Sequence, residues 1–186
     1  MSITKLNNLS ISAVTALPSG VGGKVLQVVS TTKTSIFSRT DNTSFADITD
    51  VNVTITPSSA SNKIFLSFYT NTGSSNTGGP TFVYYKLQRK IGAGSFADLT
   101  GATGNSRGSE IRAWTNAGSR LGTSATITAD ATSAHYLDSP ATTSAVVYQV
   151  QVRSTDGTAT VGGTDSTSDA NRVSTPTILT AFEIAG

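Results

Sequence analysis

Ala145-Val146-Val147-Tyr148-Gln149-Val150-Gln151-Val152-Arg153 is the stretch that decides the fold. Val146, Tyr148, Val150 and Val152 recur at every second position, with Gln149, Gln151 and Arg153 between or beside them. A strand sends successive side chains to opposite faces, so this period dries one face and wets the other. A helix would scatter the same residues around its circumference. The segment is a half-buried strand.

The same period recurs upstream, where Val51, Val53 and Ile55 alternate with Asn52, Thr54 and Thr56. Residues 63–70 differ: Ile64, Leu66 and Phe68 lie on one face, and Phe65 and Tyr69 on the other. Apolar groups on both faces predict a central strand or one that meets another subunit. Further strands are expected over residues 24–30, 35–39, 81–91, 110–115, 133–137 and 177–184, which makes about ten in all. Pro57 to Asn62 and Gly92-Ala93-Gly94 read as turns, residues 71–80 as a long polar loop, and residues 155–171 as nearly structureless.

Composition agrees. Charged residues make up 13% of the 186, and roughly three in ten are Ser or Thr, whose hydroxyls compete for backbone groups and disfavour helix interiors. The expected class is all-β, an antiparallel sandwich or barrel over residues 24–186. Residues 1–23 form a separate arm: Ile3, Leu6, Leu9, Ile11 and Val14 are loosely spaced before Pro18-Ser19-Gly20-Val21-Gly22-Gly23 breaks the backbone. Such an arm suits an anchor or an interchain contact.

Charge and residue counts exclude several functions. The net charge is +2, and Lys24, Lys33, Arg39, Lys63, Arg89, Arg107, Arg153 and Arg172 are scattered. No basic run offers the footprint that nucleic acid requires. Cysteine is absent, so neither a disulfide framework nor a thiolate metal cage is available. No apolar run approaches the ~20 residues of a membrane span, and the polar residues of the arm leave no signal-peptide core. The expectation is a protein made in a host cytoplasm, without cofactor or membrane insertion.

Motifs that resemble catalytic ones fail on context. Gly104-Asn105-Ser106-Arg107-Gly108 spells a nucleophile elbow, with Asp130 and His135 following in hydrolase order. That chemistry needs a strand before the serine and a helix after it, and neither is expected. A small serine hydrolase using Ser106 is thus a remote alternative, and no catalytic residue is assigned. Gly92-Ala93-Gly94-Ser95-Phe96-Ala97 follows a strand like a dinucleotide fingerprint but lacks the helix of that unit. His135 is the only imidazole, so no multi-histidine metal site exists. The run from Asp165 to Asp169 has oxygen ligands for weak calcium binding but reads better as a solvated turn. Trp114, Tyr136 and His135 are the candidates for contact with a receptor such as a surface glycan.

Several segments together resemble a β-rich module of tailed-bacteriophage virion proteins. They are residues 23–29, 55–59, 61–64, 137–143 (Leu-Asp-Ser-Pro-Ala-Thr-Thr) and 179–184 (Leu-Thr-Ala-Phe-Glu-Ile), in that order. The resemblance implies a jelly-roll-like sandwich in a virion, commonly at a fibre tip and trimeric, with no catalytic residues to carry over. The expected function is a short tail fibre or receptor-binding module, held to other virion proteins through its arm. The alternative is a capsid decoration or cement protein.

Deletion of residues 2–22 is expected to leave the β body folded, with a melting temperature within about 2 °C of the parent. Incorporation into the particle is expected to fail. Normal occupancy of the truncated chain would remove the arm's anchoring role.

Overall fold

The structure, a computed structural model, describes residues 24–40, 43–75, 81–121, 129–164 and 173–186. The arm at residues 1–23 and the run from Asp165 to Asp169 lie outside the described residues. Eleven strands form two antiparallel sheets, and no α-helix occurs among the described residues. The strands are β1 (Val25–Lys33), β2 (Phe37–Arg39), β3 (Ala46–Ile55), β4 (Lys63–Ser75), β5 (Thr81–Ile91) and β6 (Ala97–Asp98). A 3-10 turn (Thr100–Ala102) follows, then β7 (Thr115–Leu121), β8 (Ala129–Asp138), β9 (Val146–Ser154), β10 (Thr158–Val161) and β11 (Thr177–Ile184).

The pairings spell a roll. β1 lies against β11, β3 against β9, β4 against β8, and β5 against β7, so the main strands form one antiparallel ribbon doubled back on itself. Pairing of β11 with β4 and of β9 with β5 then closes the rolled ribbon into two sheets. Sheet A carries β1, β11, β4 and β8, with β10 and β2 continuing it; sheet B carries β3, β9, β5, β6 and β7. That connectivity is the jelly roll, so the all-β jelly-roll sandwich expected from the sequence is present.

The core sits where the inner faces meet. Ile64, Leu66 and Phe68 of β4 and Leu179 and Ala181 of β11 face Val83, Tyr85 and Leu87 of β5 and Tyr148 and Val150 of β9, all fully buried. Burial of a side chain such as Phe68 contributes roughly 2–3 kcal/mol.

Two sets of paired polar groups inside this dry volume tie the roll together, while the buried hydroxyls of Thr81 and Thr160 have no hydrogen-bond partner among the described residues. Asp138, at the end of β8, accepts two hydrogen bonds from Arg89 Nη1 of β5 at 2.9 and 2.8 Å and one from the Tyr148 hydroxyl of β9 at 2.7 Å. A carboxylate on sheet A thereby holds two partners on sheet B. Burial pushes the Tyr148 phenol well above its ordinary value, and its bond to the Asp138 carboxylate pushes it further, so it stays a donor. The second set clasps the chain's last strand to the corner between β3 and β4. Glu183, only 2% exposed, accepts from the Ser58 amide at 2.6 Å, the Ser58 hydroxyl at 2.7 Å and the Asn62 side-chain amide at 2.7 Å.

Three regions depart from the sequence expectation. The strand expected at 110–115 begins instead at Thr115. Arg112 donates to Gly104 O and to Thr103 Oγ1, which holds the preceding backbone in an irregular loop. Residues 71–75, read as loop, continue β4, because Thr72 is buried with its hydroxyl bonded to Tyr85 and Thr132. Residues 158–161, read as structureless, form buried β10 between β4 and β2. Both additions rest on partner strands distant in sequence.

Burial alone would raise the Glu183 pKa, but its three hydrogen bonds outweigh that and hold it below the usual carboxylate range. A depressed folded value gives stability that is complete above the unfolded pKa of about 4.3 and is lost as pH falls through the folded value. Glu183→Gln is expected to cost about 1–3 kcal/mol at pH 7. The gap from the parent should shrink below about pH 4 in urea unfolding. A gap independent of pH would show that the charge is irrelevant to the clasp.

Candidate functional site

The two outer faces of the sandwich differ in chemistry. On sheet B, Asp47 accepts from the side-chain amides of Gln149 and Gln151 at 3.0 and 2.7 Å. Gln149 also donates to Gln88 at 2.8 Å, and Gln88 donates to Asp98 at 2.8 Å. Lys86 closes the belt with a 2.8 Å ion pair to Asp98. The Asp98 carboxyl is only partly buried; that burial would raise its pKa, but bonds from Lys86 and Gln88 prevail and lower it. This polar belt crosses the sheet from β3 to β6 and suits water.

Sheet A shows the opposite outer face. The register sets Val28 beside Phe182, Phe182 beside Phe65, and Phe65 beside Leu137, an apolar row across β1, β11, β4 and β8. Val28 is 54% and Leu137 47% exposed. Phe65 and Phe182 pack with ring centroids 6.0 Å apart, and the His135 ring stacks on Phe65 at 5.7 Å. The next rows are Ser30, Thr180, Ser67 and His135, then Thr32, Ile178, Tyr69 and Ser133. Residues 63–70 are therefore the central strand that their two apolar faces predicted.

The three candidate contact residues come from adjoining strands but do not share one face. His135 and Tyr136 are successive on β8, so their side chains leave opposite sides of sheet A. His135 is exposed on the outer face, while Tyr136 is half-buried against the core. The hydroxyl of Tyr136 abuts Gly101, where a Cβ would stand 2.5 Å from it. Trp114 is half-buried just before β7, its indole N–H donating to the His135 carbonyl at 3.2 Å and its ring tilted against Phe68 at 5.8 Å. Thr115 Oγ1 donates likewise to the Ser133 carbonyl. These side chains satisfy the free edge of β8, which protects it from strand addition.

The elbow residues are also separated. Ser106 lies in irregular backbone between the 3-10 turn and β7, with no strand before it and no helix after it. Asp130 and His135 differ by an odd number of positions along β8, so their side chains project from opposite faces. An acid on one side of a sheet cannot orient a base on the other. Gly92-Ala93-Gly94 is a turn: Gly92 has φ +53° and donates to the Ala145 carbonyl at 2.8 Å, and Gly94 donates to that of Ile91 at 3.0 Å.

The loop that carries Ser106 shapes a cleft of about 420 Å³ against Tyr84 of β5, lined also by Asn105, Arg107, Glu110, Trp114 and Asn116. The sequence offers Trp114 and Tyr84 as aromatic side chains able to stack on a sugar, and Asn105 and Arg107 only as parts of the discounted elbow. Pairing of β7 with β5 brings Tyr84 to this segment, opposite Asn116.

No family model matches the chain, and no curated protein matches it. Among solved structures, the chain is similar to the infectious bursal disease virus Gt strain structure at 13% identity and a TM-score of 0.39, over 86% of this chain and 38% of that one. For the Gx strain structure the values are 11% and 0.37, over 86% and 37%. The chain thus spans less than two fifths of the length of either. The jelly-roll assignment stands on the strand pairings and not on these likenesses.

Ser106→Ala and His135→Gln are expected to leave particle assembly and host attachment within the scatter of the parent. For His135→Gln the loss of stacking on Phe65 should lower stability by under about 1 kcal/mol. Attachment assays beside thermal melts check both. A variant that melts normally yet no longer attaches would restore a role for that residue.

Proposed function

We propose that this chain is a virion structural protein of the host-adhesion kind, a short tail fibre or receptor-binding module that works as a homotrimer and not as an enzyme. Residues 1–23 hold it to other virion proteins. The contrast between the outer faces carries the proposal. Sheet B has the hydrogen-bonded belt of a wet surface, whereas sheet A exposes an apolar row that needs cover. A second copy of the chain is the occupant. The rows of Ser30, Thr180 and Ser67 and of Val28, Phe182 and Phe65 carry no formal charge, so like copies meet without repulsion. The apolar row runs from the β1 edge to the β8 edge. The β1 side of one copy can then meet the β8 side of the next and close a ring.

The resemblance to phage virion modules supports the same reading, as do the Ser-, Thr- and Gly-rich stretches of the sequence. Low charge and a dry, tied interior fit a protein that must persist outside a cell. Trp114 and Tyr136, with the cleft beside them, are at the candidate receptor end, and His135 sits on the self-association face.

Light scattering on purified protein is expected to give three times the 19.1 kDa chain mass. Phe65→Ser combined with Phe182→Ser should give a folded monomer, because both side chains lie outside the core. A parent that stays monomeric at micromolar concentration, or forms a dimer, overturns the trimer. Labelled particles are expected to carry the chain at the tail. Label spread across the head would establish the decoration role instead.

A further inference from the structure

The geometry points to the cleft between Tyr84 and residues 104–116 as a binding site for a saccharide unit. The inference deepens the adhesion reading and rests on it. Trp114 and Tyr84 supply aromatic surface, and around them stand Asn105, Asn116, Arg107 and Glu110. The side-chain amides of Asn105 and Asn116 and the hydroxyl of Tyr84 make no hydrogen bond among the described residues. Arg107 and Glu110 pair at 3.2 Å, but their side chains are 82% and 49% exposed, so water screens the pair and the fold gains little from it. These groups surround a hollow, and the fold does not use them.

The rim is nonetheless held in place. Arg112 donates to Gly104 O at 2.9 Å and to Thr103 Oγ1 at 3.0 Å, which pins the two ends of the loop together. The Trp114 amide donates to Tyr85 O at 2.7 Å, and its indole is fixed by the His135 carbonyl. A cleft ordered before binding loses less entropy when a ligand arrives.

The lining selects the ligand class. An apolar ligand would strip water from the two amides and return nothing, at about 1–3 kcal/mol for each group left unsatisfied. A nucleic acid would need a basic surface, and the cations lining the cleft among the described residues are Arg107, already facing Glu110, and Arg112, already bonded to the loop. A sugar ring has what remains: a C–H face to lie on an aromatic ring and hydroxyl groups that both donate to and accept from amides.

Trp114 is the only tryptophan in the chain, so its fluorescence and its indole N–H resonance report on this cleft alone. The purified full chain is titrated with the methyl glycosides of glucose, galactose, mannose, rhamnose and N-acetylglucosamine. At least one is expected to change the emission saturably at millimolar concentration and to shift the indole resonance. Asn105→Ala with Asn116→Ala is expected to bind that glycoside about tenfold more weakly, about 1.4 kcal/mol. Asn105→Ala alone serves if the double variant melts early, since Asn105 lies outside the strands. Silence of both signals with every glycoside overturns the site, as does unchanged affinity in the variants. Particle labelling tests the adhesion reading separately: tail location with silent titrations removes the cleft alone. Glycoside binding by a chain located on the head keeps the cleft and removes the tail.

Discussion

Every second side chain along the main strands of both sheets must enter one dry volume, and the rest of the molecule follows from that constraint. Apolar residues meet it directly, as Phe68, Tyr85 and Val150 do. A polar atom inside must find a partner or lose its hydration without return. Asp138 therefore reaches across to Arg89 and Tyr148, and Thr72 holds the Tyr85 hydroxyl. Asp138 and Thr72 find these partners on the opposite sheet, so satisfying them also joins the sheets. Glu183 applies the same rule at the corner, where the last strand is bonded to Ser58 and Asn62.

Several segments singled out in the sequence coincide with these ties. Ser58 and Asn62 fall in residues 55–64, Asp138 in 137–143, and Glu183 in 179–184. Their task in this chain is to close the roll. Residues 104–116, which line the cleft, stand apart from them.

The outer faces obey a looser constraint and differ from each other. The amide and carboxylate belt on sheet B needs only water. The row from Val28 to Leu137 on sheet A adds nothing to the core of a single copy and gains only when another surface covers it. Packed phenyl rings such as Phe65 and Phe182 recover part of that loss within one copy, while Val28 and Leu137 at the ends stay half exposed.

Alternation along residues 146–152, 51–55 and 63–70 determined the all-β class and the inner faces, while pairing with β11 and β8 made β4 central. A strand's period of two is a local property. The missing strand–serine–helix context at Ser106 and the single histidine were legible for the same reason. Local signals misled where pairing is remote. Thr158–Val161 and Gly73 to Ser75 look like loop by composition, yet β10 pairs there with β4 and with β2, strands distant along the chain. The strand at 110–115 was displaced to Thr115–Leu121 by Arg112 bonds to Thr103 and Gly104 that no periodicity encodes. The opposed positions of Asp130 and His135 follow from strand parity once β8 is known to span both. The cleft, and the meeting of Tyr84 with Asn105 and Asn116, belonged to the tertiary structure alone, because residues far apart in sequence come together only when the ribbon rolls.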